Sequence, residues 1–83
     1  MFGICYDIEA MQAQHEQVRD VLTQHGFYCL QGNVYVADSD DLVTLFDVIN
    51  KLKSLPWLAE AARSIKAFRV ENMSDFTELI KEK

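Results

Sequence analysis

The chain has 83 residues, 49% hydrophobic and 11% aromatic, with a formal net charge of -5. A chain this short builds one small domain, residues 1–83, whose core is thin, and pairing with a second copy is a common way to add stability. The negative balance argues against a general nucleic-acid coat protein, and no signal peptide or long apolar span is visible, which reads as a cytoplasmic protein outside the membrane with reduced thiols.

The charge is uneven. Residues 1–50 hold eight acids and one base, Arg19, while residues 51–83 hold seven bases and five acids. That asymmetry makes either a basic surface on an acidic protein or solvated lysines at helix ends. The two cysteines, Cys5 and Cys29, sit in apolar runs without a CxxC spacing, so both are expected to pack in the core.

In chain order, residues 2–8 alternate Phe2, Ile4, Tyr6 and Ile8 against Gly3, Cys5 and Asp7, which is the period of a strand. Residues 10–25 carry Met11, His15, Val18, Leu22 and His25 at helical steps, and Gly26 suits the stop. Phe27–Leu30 and Asn33–Ala37 are two short strands joined by a turn or bulge at Gly32. Asp38 or Ser39 can cap a second helix with the stripe Leu42, Leu45, Phe46, Ile49 and Leu52, ended by Pro56-Trp57. Residues 57–63 allow a short helical turn. Ser64–Glu71 reads as a fourth strand, and Ser74 opens a short helical segment over Asp75–Lys81. The order β-α-β-β-α-β predicts an α+β, ferredoxin-like sandwich. Its four-stranded antiparallel sheet carries both helices on one face, with the first and third strands central.

Phe2, Ile4, Tyr6 and Ile8 then face the helices, and Gly3, Cys5 and Asp7 face the other side. The fourth strand offers apolar groups to both faces, so a second subunit is the economical cover of the bare one. Small residues on the central strand would let that partner approach closely. A twofold axis near the first strand would bring the two Asp7 carboxylates together. Such a pair shares a proton, binds a cation such as Mg²⁺, or stays wet, and a carboxylate can act as general base on a ribose 2′-hydroxyl or a water. The alternative is that Asp7 only marks the strand's exit and caps the helix beyond it.

Arg63, Lys66 and Arg69 form the best basic cluster for RNA phosphates, with ordinary salt bridging as the alternative. Lys66 and Arg69 point to opposite faces, so the three cannot line one groove. Tyr28 and Tyr35 can stack on unpaired bases, whereas Tyr6 lies on the core face and Trp57 plugs a helix end. His15 reads as a semi-buried histidine, and His25 is favoured by the helix dipole. About 15 Å of helix separates them, too far to build a histidine pair in one chain.

The stretches GFYCLQGNVYV (26–36), LKSLPW (52–57), SIKAFRVE (64–71) and SDFTELIK (74–81), with Tyr-Asp-Ile ending the first strand, together resemble the virulence-associated protein D family, VapD. That family is similar to small ferredoxin-like CRISPR-associated nucleases. The resemblance covers nearly the whole chain. It implies a ferredoxin-like homodimer with endoribonuclease activity, often the toxin of a toxin–antitoxin pair, and thus a small antitoxin protein as partner. It also places the candidate catalytic acid on Asp7. Three features depart from the family pattern. Asn33 stands where many members have a serine, and its amide can position a phosphate or a water but cannot be a nucleophile. Arg63 is kept from an arginine-aspartate pair whose acid is missing. The segment between the first strand and first helix is short. A second reading follows from these departures: a non-catalytic ferredoxin-like dimeric adaptor that holds nucleic acid or a partner protein.

Overall fold

The computed structural model describes residues 1–82. Its elements are β1 (Phe2–Ile8), α1 (Gln12–Gln24), β2 (Tyr28–Gln31), β3 (Val34–Ala37), α2 (Leu42–Lys53), α3 (Leu58–Ala61), β4 (Ala62–Arg69) and α4 (Thr77–Lys81). The strands form one sheet in the order β2-β3-β1-β4, and every neighbouring pair is antiparallel. β1 and β3 are central, as the connection rules require, and the fold is the ferredoxin-like α+β sandwich.

β1 organises the layers. Ile4, Tyr6 and Ile8 enter the main core cluster with Val18, Val21 and Leu22 of α1 and Val48 and Leu52 of α2. The alternate residues Gly3, Cys5 and Asp7 pair with Phe68, Lys66 and Ser64 of β4 on the opposite face. On the other side of β1, Gly3 and Cys5 pair with Val36 and Val34.

The helices rotate slightly from the expected stripes. In α1, Val21 joins Val18 and Leu22 inside, while Met11 is 70% exposed and sits at the N-cap, where its N–H donates to the Gln14 side-chain oxygen at 3.0 Å. In α2, Val48 and Leu52 are buried and Leu45 and Ile49 half-buried, whereas Leu42 and Phe46 are 56% and 59% exposed. The sequence offers more apolar stripe than one sheet face can cover. The inward row is the one centred on Val48, and the row through Leu42 and Phe46 turns outward. The cap of α2 is Asp41, not Asp38 or Ser39: its carboxylate accepts from Val43 N–H at 2.9 Å, and Ser39 Oγ accepts from Asp41 N–H at 3.1 Å. At the end of α1, His25 Nδ1 lies 2.8 Å from the Val21 carbonyl oxygen, and Gly26 follows in the left-handed conformation with φ 83°. Trp57 closes the end of α2 by reaching across to α1, its indole N–H donating to Gln17 at 2.9 Å.

Gly3 is where the sheet's open face is tightest. A Cβ there would fall inside the van der Waals shell of the Phe68 ring. The space left by the glycine is therefore filled by this chain's own β4, and not held open for a close-approaching partner. Gly3→Val is expected to cost about 1–3 kcal/mol of stability through overpacking, and Gly3→Val with Phe68→Ala to recover most of it. Urea unfolding at one fixed protein concentration measures both; additive losses would mean the two residues do not touch.

Candidate functional site

Asp7 stands near the end of β1, exposed, with its Cα partner Ser64 on β4. It does not cap α1, whose cap position is Met11 and whose cap makes no side-chain bond to Asp7. Just past it β1 shifts register, between Asp7 and Ile8, and Glu9 N–H donates to the Ala61 carbonyl at 2.9 Å. This irregular exit brings Glu9 to Arg63, with Nη2 and Oε2 3.0 Å apart. Hydrogen bonding to Glu9 raises the Arg63 pKa above its ordinary value, and the charges of Glu9 and Asp7 add to it. Arg63 is thus close enough to Asp7 to feel its carboxylate while its own contact is with Glu9. Both partners are largely exposed, so the ion pair adds little to stability.

Lys66 pairs with Cys5 and shares the open face with Asp7. Arg69 pairs with Phe2 at the other end of β4, and its guanidinium carbon lies 6.0 Å from the Phe2 ring centroid. Asp7, Arg63 and Lys66 therefore gather at one end of the β1–β4 pair, and Arg69 does not join them.

Asn33 and Tyr35 belong to a different place. Asn33 is exposed beside the β2–β3 turn, and its carbonyl accepts from Tyr6 N–H at 3.2 Å. Tyr35 is 4% exposed, on the helix side of the sheet, with its ring stacked on Tyr6 at 6.2 Å between centroids and 25° between planes. Its ring face is occupied and is not open to an RNA base. Tyr28 is the exposed tyrosine, and its hydroxyl donates to Asp38 at 3.3 Å. Asn33 and Tyr35 instead border a cleft of about 350 Å³ whose other walls include His15, Arg19 and Tyr6. Those three were not expected at a site. The available signal was the i, i+4 spacing of His15 and Arg19, which puts both on one side of α1.

Both cysteines are free thiols, Cys5 half-buried and Cys29 exposed. Cys29 is not a core residue as its apolar run implied; its thiol approaches the Gly32 carbonyl at 3.5 Å across the turn. Among the described residues, no three Asp, Glu, His or Cys side chains come together as a metal site. Asp7 is a single exposed carboxylate and Glu9 is engaged by Arg63, so a Mg²⁺ ion at Asp7 would take its other ligands from water, substrate phosphate or a second subunit. Among the described residues, no helix is long and apolar enough to cross a membrane.

No protein-family model matches the chain. A protein of Neisseria gonorrhoeae named "Endoribonuclease VapD homolog" is 47% identical, in a match covering 98% of this chain and 99% of that one. The chain belongs to the VapD family. The "Endoribonuclease VapD" of Helicobacter pylori is 39% identical over 98% of this chain and 99% of its own, and that of Haemophilus influenzae 37% identical over 92% and 84%. The likeness runs essentially end to end, so it spans β1 with Asp7, the hairpin and β4 together.

Burial pushes the Tyr6 hydroxyl up to about 12 from an ordinary 10.0, reinforced by Tyr35 and Cys29 and opposed by the positive charge of Arg19. The folded state therefore favours the neutral phenol. That contribution is fully present below pH 10 and is lost as pH rises from about 10 toward about 12. Alkaline unfolding of the wild type is expected to steepen across this window, and Tyr6→Phe to flatten it. Equal unfolding free energies at pH 9 and pH 11, from denaturant titrations of the wild type, would show that Tyr6 ionises freely.

Proposed function

We propose that this chain is an endoribonuclease of the cytoplasm that works as a homodimer, with Asp7 of both subunits at an interface site. The observation that carries the reading is the end-to-end match to VapD proteins whose names state that activity. The position of Asp7 supports it: the carboxylate is exposed, makes no cap, and lies on the same open sheet face as Lys66. In the reaction, Asp7 takes the proton from a ribose 2′-hydroxyl, and that oxygen attacks the adjacent phosphorus. The phosphorus–oxygen bond to the next nucleotide breaks, and the leaving 5′-oxygen takes a proton from water. Lys66 neutralises the phosphate, and Arg63, backed by Glu9, adds positive charge at the margin. A small antitoxin protein would act by covering the same face.

The dimer reading rests on unpartnered apolar surface. The chain's radius of gyration is 14.0 Å, against about 12 Å for a compact chain of this length, and its extents are 48 × 29 × 19 Å. Beyond β4, Val70 N–H still donates to the Met1 carbonyl at 2.8 Å, but the C-terminal arm, residues 71–82, is exposed throughout. Phe76, Leu79 and Ile80 on this arm are 59%, 63% and 74% exposed. The five-residue α4 is too short to hold its shape alone in water, which favours a surface to lie on. An apolar hollow of about 330 Å³ between α2, α3 and β4, lined by Ile49, Leu52, Leu58 and Ile65, matches that need. Lys53 borders the hollow, and Asp75, Glu78 and Glu82 flank the arm's apolar side chains, so the charges are complementary. Reciprocal exchange of arms between two copies buries both surfaces twice.

Asp7→Asn is expected to lower RNA cleavage by about 10²–10⁴-fold while the protein elutes as the same dimer, and the wild type is expected to cleave equally with Mg²⁺ and with EDTA. Equal cleavage by both proteins would remove Asp7 from the chemistry, and loss of cleavage in EDTA would replace the base role with a metal-held one. Truncation after Val70 is expected to give a folded monomer by light scattering and circular dichroism. A truncated chain that still dimerises with unchanged affinity would rule out arm exchange.

A further inference from the structure

The cleft on the helix side of the sheet is not the Asp7 site. Tyr6 and Asp7 are consecutive in β1, so their side chains leave opposite faces of the same strand. Three elements build the cleft. One side of α1 presents Gln12, His15, Glu16 and Arg19, at steps of three and four residues. The β2–β3 turn presents Cys29, Gly32 and Asn33 opposite them. The floor is the stacked pair Tyr6 and Tyr35, whose rings continue the core while their edges reach the opening.

The chemistry of these groups is specific. Two hydroxyls on core tyrosines need a polar outlet, and the cleft is the outlet. Both hydroxyls stay neutral at physiological pH, because burial raises both pKa values; Tyr6 bonds to Tyr35 and Tyr35 to Cys29, and a ligand oxygen would compete for these donors. Arg19 is part of the cleft's lining, and its charge acts on both tyrosines. Its one carboxylate contact among the described residues, Glu16, is 3.9 Å away with both side chains half exposed, too loose to hold it. Asn33 offers an amide and His15 an imidazole, each able to donate and accept. A volume of about 350 Å³ lies in the range of small-ligand sites, about 300–1,000 Å³.

We infer that this cleft binds a single nucleotide through its phosphate, with Arg19 on the phosphate, the Tyr6 and Tyr35 hydroxyls donating to phosphate or ribose oxygens, and Asn33 and His15 facing the base edge. The planar, forked guanidinium suits a phosphate better than a lone carboxylate does. Glu16 at the rim selects against a second, unshielded phosphate, which favours a monophosphate over a triphosphate. The inference rests on the cleft and not on the cleavage reading. The nucleotide is either one residue of a bound RNA strand or a free mononucleotide, and the phosphate chemistry is the same for both.

The test uses full-length, isotope-labelled Asp7→Asn protein, which leaves RNA intact if Asp7 is the base. It is titrated separately with adenosine 5′-monophosphate and with a short single-stranded oligoribonucleotide, and amide shifts are followed by NMR. Saturable shifts at Arg19, Asn33 and Tyr35 are expected, with affinity about tenfold weaker in Arg19→Gln and only partly restored in Arg19→Lys, which keeps the charge but not the fork. Arg69→Gln, a cation elsewhere on the chain, should leave affinity unchanged. Asn33→Ala, at an exposed turn position, gives a second perturbation of the cleft should Arg19→Gln not fold. Shifts with both probes mean that RNA uses the cleft, and shifts with the mononucleotide alone mean a free nucleotide occupies it. Shifts with neither, or affinity unaltered by Arg19→Gln and Asn33→Ala, overturn the inference. A separate loss of cleavage activity in wild type would bear on the Asp7 reading and not on this one.

Discussion

The alternation of side chains along β1 governs what the rest of the molecule can do. A strand has two faces, and successive residues must take opposite ones. Ile4, Tyr6 and Ile8 are committed to the core with both helices, and this forces Gly3, Cys5 and Asp7 to the far side of the sheet. A shift of one residue would bury the carboxylate and expose the isoleucines, so the core itself fixes where Asp7 stands. Hydrophobic burial on one face thereby positions a charge on the other.

The same alternation makes two chemically distinct regions of neighbouring residues. On the open face, Asp7 lies with Lys66, and Arg63 sits at the strand's irregular exit with Glu9 as its partner. On the helix face, the Tyr6 hydroxyl must be satisfied near the layer's end, beside Tyr35 and Arg19. An aromatic pair with hydroxyls at the edge of a core is an unusual choice where phenylalanine would pack as well, and it makes sense if the hydroxyls face a ligand. The two regions share β1, so anything that shifts the strand's register would move both.

A small domain leaves apolar surface over, and here much of the surplus falls in three places. Leu42 and Phe46 on α2, the hollow beside Ile65, and Phe76, Leu79 and Ile80 on the arm are all exposed. Each is too large to be random surface scatter, and together they fall on one helix, one hollow and one terminal segment. In the proposed dimer, a second copy would supply both the cover and the occupant. By contrast, the open sheet face is partly closed by its own chain, because the Phe68 ring lies over Gly3. A partner there would meet Phe68, Lys66 and the Asp7 end, and not a bare central strand.

Much of this was legible in the chain alone. Period-two alternation in residues 2–8, helical steps in 10–25 and 42–52, and the glycines at the turns determine the order of elements and hence the ferredoxin-like sheet, because connection rules leave few arrangements for βαββαβ. The place of Asp7 on the outward face follows from the same alternation, and the VapD kinship was carried by contiguous motifs. What the sequence could not decide is which long-range neighbours each side chain meets. Tyr35 looked like a stacking residue and proved to be held against Tyr6, Cys29 looked like core and is exposed, and His15, read as a semi-buried histidine, proved to share a cleft with Arg19. Periodicity assigns a residue to a face. Only the packing of α1 against the β2–β3 hairpin decides whether that face is filled, and here it stops short and leaves a polar cleft floored by two tyrosines.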